Sequence, residues 1–252
     1  MEKPGPGLSK GLLLAKTVHW VHGEAILKRL KKAALWCGVG SLLVLSGPTS
    51  AVEPTSSAEA VTAMEGFYTN VQSMEASFVQ ITRSPSMGTE EEQRGRIVLK
   101  RPRQMRWDFT RPDRRLFVTD GQQMWIHSPE DNQVIHYQDV SGAAASGGID
   151  SLLSEMDKLD ESFNVALVED PEASRLGHFS LALTPKEEAP FKSLLLEVNK
   201  RKLTLKRILV VDSFDNETEL RFSNVKVNGN VDDSLFKFDV PEDAELIQPD
   251  AL

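Results

Sequence analysis

Hydrophobic positions along the chain change period once. From Ser57 to Met74 the residues Val61, Met64, Phe67, Tyr68, Val71 and Met74 recur at helical spacing, with Ser56 or Ser57 placed to cap the start. One amphipathic helix is expected there. Beyond it the period becomes two, and short runs bounded by turn chemistry predict strands near 76–83, 93–100, 104–110, 114–119, 122–128 and 133–139. Five more are predicted near 163–169, 177–184, 193–199, 204–212 and 217–227. Asp120-Gly121 marks a tight hairpin, and looser turns fall at Pro129–Asn132, Asn199–Lys202 and Asp215-Asn216. The pattern reads as one long antiparallel meander of eleven strands.

The meander is interrupted by Ser141-Gly142-Ala143-Ala144-Ala145-Ser146-Gly147-Gly148, followed by Ile149, Leu152, Leu153 and Met156 at helical spacing. Such a segment is either a lid on a flexible leash or a crossover helix packed permanently on the sheet. A sheet this wide curls rather than lying flat, which creates a concave side with only two or three short helices to cover it. That side either holds an apolar cavity or is filled by side chains. Alternation places Ile97 and Leu99 on one face with Arg101 in the same phase, and Met105, Trp107 and Phe109 on one face of the next strand. Val118 and Met124 complete the expected apolar pocket. An arginine in a covered concave face must satisfy five donors and would seek backbone carbonyls of the helix above it; alternatively, Arg101 is one surface cation among Lys100, Arg103 and Arg106.

Composition adds a leader. Lys28, Arg29, Lys31 and Lys32 precede an apolar run from Ala33 to Leu45, and Gly47-Pro48-Thr49-Ser50-Ala51 supplies small residues for cleavage. Residues 1–51 therefore read as a signal peptide with an extended N-terminal region, and 52–252 as a single domain. A membrane anchor is the alternative, but ~13 apolar residues fall short of the ~20 a spanning helix needs. The only cysteine, Cys37, lies inside the leader behind Trp36, which leaves no disulfide for the domain. The leader holds seven basic and two acidic residues; the remainder carries 22 Lys+Arg against 35 Asp+Glu, a net charge of −13. That balance argues against a nucleic-acid partner and against anionic membrane surfaces.

Catalytic and metal motifs are absent: there is no Gly-rich phosphate loop, His-Glu-x-x-His, Cys-x-x-Cys or Gly-x-Ser-x-Gly. His127 and His136 are two imidazoles without an evident third ligand, and acidic runs such as Glu90–Glu92 and Asp157–Glu161 read as solvated surface. No enzyme activity, cofactor or metal is expected.

Gly95, Leu99-Lys100-Arg101-Pro102, Arg106-Trp107, Pro112, Asp120-Gly121 and Trp125, with Gln133-Val134, Leu183-Thr184-Pro185, Phe236-Lys237-Phe238 and Pro241, form an ordered set. Through it, the chain from about Ala58 to Ile247 resembles the LolA family of periplasmic outer-membrane lipoprotein carriers. The resemblance implies an α+β fold: an incomplete, half-open antiparallel β-barrel whose concave face is covered by a few helices. It implies that Arg101 latches the lid by hydrogen bonds to lid backbone and yields when lipid enters. The implied partners are triacylated lipoproteins, the inner-membrane lipoprotein-releasing ABC transporter and an outer-membrane acceptor, and the protein is expected to act as a monomer. Two departures stand out. Gly147-Gly148-Ile149 replaces the proline that often starts the lid helix, and the tail after Pro241 shows no obvious extra strand. The competing readings are a membrane-anchored acceptor or envelope-stress sensor of the same fold, and a secreted hydrolase with an acid and base pair in its cavity.

Overall fold

The structure, a computed structural model, describes residues 51–139, 152–153 and 156–249. Helix α1 spans Ser57–Tyr68, and the Ser56 hydroxyl accepts the Glu59 N–H at 3.2 Å to cap it. The helix ends at Tyr68, six residues before the end of its apolar period, so Met74 belongs to the first strand instead.

All eleven predicted strands are present: β1 (Ser73–Ser84), β2 (Thr89–Lys100), β3 (Gln104–Arg111), β4 (Arg115–Thr119), β5 (Met124–Ser128), β6 (Gln133–Tyr137), β7 (Phe163–Val168), β8 (His178–Pro185), β9 (Phe191–Asn199), β10 (Leu205–Asp212) and β11 (Glu217–Val227). Short helices α2 (Leu159–Ser162) and α3 (Pro171–Arg175) flank β7. A twelfth strand, β12 (Glu245–Ile247), lies parallel to β6 in the tail where no strand was expected. Three residues are too few to show a period.

The strands form one open sheet in the order β12-β6-β5-β4-β3-β2-β1-β11-β10-β9-β8-β7. This is not a single meander. Two meanders, β1–β6 and β7–β11, meet where β1 pairs with β11, including Phe78 opposite Phe222 and Gln80 opposite Leu220. The chain leaves β6 near one edge and enters β7 at the other, so the segment that carries Leu152, Leu153 and Met156 is the crossover between the two wings. Twelve strands laid flat would be ~50 Å wide. Here one buried cluster joins Trp107 and Ile97 of one wing to Leu181, Leu183 and Leu196 of the other, with Val61, Met64 and Tyr68 of α1 among them. One face of the sheet therefore wraps around α1, giving the half-open barrel.

Over β1, β11, β10 and β9 the opposite face mixes charged and apolar residues, with Ile81, Glu219, Leu209 and Leu195 in one row and Val79, Arg221, Arg207 and Glu197 in the next. Arg83, Arg207 and Arg221 converge on the buried carboxylate of Glu219 at 3.3, 2.7 and 3.0 Å. Burial pushes that carboxyl up, but the Arg221 hydrogen bond and the neighbouring guanidinium charges outweigh it and hold Glu219 below the usual range. Over the other wing the outer face is covered by the chain after β11. Val231 and Phe236 pack on Val98, while the Lys100 ammonium and the Arg106 guanidinium donate to the carbonyls of Val231 and Leu235, both at 3.0 Å.

Candidate functional site

Strand register sorts the predicted residues by face. Ala76, Ile97, Trp107 and Phe117 lie opposite one another across β1–β4, and Met74, Leu99, Met105, Thr119 and Met124 form the next row across β1–β5. Ile97, Leu99, Met105, Trp107 and Phe109 all join the cluster beneath α1. Met124 is buried on the same face through Thr119.

Val118 is the exception and corrects the expected pocket. Its partners across the ladder are Arg106 and Trp125, and Arg106 in turn opposes Val98, so Val118 is buried on the outer face. The apolar run Leu116-Phe117-Val118 fits either phase, and the register selects Phe117 for the inner face.

Aromatic packing shapes this surface. Phe78 lies 5.1 Å from both Trp107 and Phe109, Phe109 lies 5.6 Å from Phe117, and the Trp107 indole N–H points at the Met105 sulfur at 2.6 Å. Gly95 makes this possible. A Cβ there would fall 2.1 Å from the Asp108 carbonyl oxygen and 2.7 Å from the Phe78 ring, so only glycine lets Phe78 lie across β2 while β3 stays paired.

The cover is made of the protein's own side chains. Val61, Met64 and Tyr68 of α1, helical Leu152 and Leu153, and Met156 and Leu159 are all buried in the same cluster. Ile149, the first lid residue expected, lies outside the described residues. Tyr68 also reaches across the sheet, its hydroxyl accepting the Leu205 N–H at 3.3 Å, and burial pushes its phenol well up. The Glu65 carboxylate accepts the Asp160 N–H at 3.0 Å, tying α1 to α2.

Arg101 stands at the end of β2, its backbone N–H donating to the Gln72 carbonyl at 2.9 Å. Its guanidinium meets both carboxylate oxygens of Asp157 at 3.0 Å, and one nitrogen also donates to the Tyr68 carbonyl at 3.3 Å. A single group thus holds the C-terminal turn of α1 and the residue directly after Met156. The Tyr68 carbonyl belongs to the negative end of the helix dipole, which favours a cation there. The Arg101 hydrogen bond holds the Asp157 carboxyl below its usual range despite partial burial. Beside it is a pocket of about 30 Å³ between Val71, Met74, Leu99, Pro102 and Leu153, room for roughly one water.

Arg101 is expected to seek backbone carbonyls of a covering helix; the structure supplies one such carbonyl, that of Tyr68, and adds the Asp157 carboxylate. Asp157 was read as part of a solvated acidic run. Its position immediately after Met156, the last apolar residue of the crossover segment, was the signal that could have singled it out. His127 and His136 point to the outer face, His136 stacked on Trp125 at 5.2 Å and His127 5.5 Å from Phe238. Among the described residues no three His, Cys, Asp or Glu side chains converge on one point.

The sequence profile of the family described as "Outer membrane lipoprotein carrier protein LolA" matches residues 69–239, which include β1 to β11 and Arg101. The chain belongs to the LolA family. Among LolA relatives, the outer-membrane lipoprotein carrier protein of Hahella chejuensis is 32% identical over 201 residues, covering 79% of this chain and 93% of that protein. That of Methylibium petroleiphilum is 29% identical, covering 75% and 90%. Among solved structures, a LolA superfamily protein from Nitrosomonas europaea is 14% identical with a TM-score of 0.43 over 73% of this chain and 99% of that one.

Proposed function

We propose that the protein is a periplasmic carrier that shelters the acyl chains of triacylated lipoproteins. It receives them from the inner-membrane releasing ABC transporter and delivers them to an outer-membrane acceptor. Residues 1–51 act as the export signal, and 52–252 are the carrier, working as a monomer without catalysis. The observation that carries this reading is the apolar inner face closed by α1 and the crossover helix and joined at its rim by Arg101.

Physical chemistry sets the requirement. At ~0.8 kcal/mol per buried methylene, exposing one acyl chain of about sixteen carbons costs on the order of 12 kcal/mol, so three chains do not cross water unaided. Ile97, Leu99, Met105, Trp107, Phe109 and Met124 offer a surface for them. Acyl chains exchange one apolar neighbour for another when they displace Met64, Leu152, Leu153 and Met156, so the swap is nearly neutral in burial. What opposes entry is the closed arrangement, to which the Arg101 latch contributes. Moderate affinity follows, because lipid competes with self-closure and moves on to an acceptor without such a competitor.

Replacing Arg101 by Leu tests this reading. The latch is partly exposed, so its loss should shift the open and closed balance by about 1 kcal/mol, roughly five-fold. Lipoprotein binding should persist or tighten while transfer to the acceptor slows. Transfer at the wild-type rate would defeat the latch, and a wild type that binds no acylated ligand would defeat the carrier.

A further inference from the structure

Two hairpin turns lie side by side at one end of the sheet: Pro85–Gly88 between β1 and β2, and Ser213–Asn216 between β10 and β11. They are neighbours because β1 pairs with β11 up to Arg83 opposite Glu217. Each turn exposes a large apolar side chain at its tip, Met87 at 72% and Phe214 at 81% of full exposure. Isolated exposed apolar residues need no explanation. A pair on adjoining tips, each held rigidly, does.

Rigidity is evident in the bonding. The Ser84 hydroxyl donates to the Asn216 side-chain carbonyl at 2.7 Å, joining the two turns directly. Arg83 lies just beneath them and bridges Glu90 on β2 at 2.8 Å to Glu219 and Glu217 on β11 at 3.3 and 3.9 Å. The Asp212 carboxylate accepts the backbone N–H of Phe214 at 2.7 Å and of Asn216 at 2.9 Å, and Lys192 pairs with Asp215 at 2.6 Å. In the other turn, Gly88 adopts φ +65° and its N–H donates to Ser84 O at 2.8 Å. Two apolar prongs are thus preorganised before anything binds.

Charge selects the partner. Arg83 and Lys192 are already engaged in ion pairs and Lys186 donates to the Asp160 carbonyl, whereas Glu91, Glu187 and Glu188 are exposed around the tips with no ion pair among the described residues. The cationic β3–β4 turn is set back, because pairing of β2 with β3 begins only at Arg94, five residues or ~17 Å from Thr89. Apolar tips that enter a bilayer are usually flanked by Lys and Arg. Carboxylates flank these.

We propose that this end of the sheet is a docking site that seats Met87 and Phe214 in two apolar sockets of a partner protein whose rim is basic. Resting on the carrier reading above, that partner is one of the two proteins that give or receive lipoprotein. The turns lie on strand ends, so docking leaves the Arg101 latch free to open.

The test uses the mature carrier, its own releasing transporter in nanodiscs, its purified acceptor and bare vesicles of phosphatidylethanolamine and phosphatidylglycerol at 3:1. Met87→Ser/Phe214→Ser should weaken association with the transporter or the acceptor at least ten-fold, and Glu91→Lys/Glu188→Lys should weaken the same association and its salt dependence. Leu176→Ser, which alters an exposed apolar residue (57%) after α3, should change neither. Uptake of a fluorescent acyl probe should be unchanged in all variants. Unaltered association of the prong variant with both proteins, or no association by the wild type, overturns the proposal. So does wild-type binding to bare vesicles that the prong substitutions abolish, since the occupant would then be lipid. Failure of the wild type to take up the acyl probe instead sinks the carrier reading and is read out separately.

Discussion

Arg101 acts on two elements at once, so its partners should be coupled. Removing either side of the bidentate Arg101–Asp157 pair loses the same bonds, and the double variant Arg101→Leu/Asp157→Asn should bind an acyl probe no more tightly than Arg101→Leu alone. The pH dependence has a definite sign. The folded carboxyl of Asp157 lies below its ordinary value of 3.8, so the latch is complete above that value and is lost as pH falls through the lower folded one. Wild type and Asp157→Asn should therefore differ in probe affinity at pH 7, with the variant tighter, and converge as pH drops below the ordinary carboxylate range. A gap that stays constant with pH would show that Asp157 acts through something other than its charge. Gly95→Ala acts through sterics instead: with the Asp108 carbonyl 2.1 Å from the new Cβ, β2 and β3 must separate. A loss of about 3 kcal/mol in denaturant unfolding is expected, and a loss under 0.5 kcal/mol would mean the strands part without strain.

At the scale of elements, what the sequence shows depends on how local the deciding force is. Strand β3 was legible because Met105, Trp107 and Phe109 alternate with Gln104, Arg106 and Asp108, and that alternation matches the two faces it meets: the first set packs with the core, while Arg106 bonds the Leu235 carbonyl on the outer face. Strand β4 was legible as a strand but not in its facing, since Leu116, Phe117 and Val118 are all apolar and only pairing with β3 fixes which turns inward. The end of α1 was overrun for a similar reason: Val71 and Met74 keep the helical period by coincidence while both are buried through β1 and its approach. β12 was invisible because its pairing depends on distant partners. The Asn132 carbonyl accepts the Glu245 N–H at 2.9 Å, and the Asn132 side chain donates to Asp243 O at 2.6 Å. That strand covers the outer edge of β6, which otherwise offers unpaired backbone groups to another chain. Deleting residues 244–252 should leave the thermal midpoint within a few degrees but raise concentration-dependent association, measured by light scattering. A monodisperse deletion variant would show that the edge needs no cover.

On the proposed carrier reading, one half of the molecule's core is replaceable. The sheet is held by long ladders and by the Glu219 network on its outer face, neither of which involves α1 or the crossover helix. The cover is held by apolar contact, the Glu65–Asp160 bond, the Tyr68 hydroxyl on the Leu205 N–H and the Arg101 latch. On that reading acyl chains substitute for the first of these and release the polar bonds, so loading should separate cover from sheet without loosening the sheet. Amide hydrogen exchange on the carrier loaded with a triacylated lipopeptide should therefore speed up in residues 57–68 and 156–162, while β1, β2, β10 and β11 keep their protection. The asymmetry matters more than the size of the effect, because local opening free energies differ between a packed ladder and a helix held by one face. Equal protection of both regions on loading would mean the chains bind on top of a closed cover. Equal loss would mean that the sheet opens with it, and the division of the core into a fixed wall and a displaceable one would be wrong.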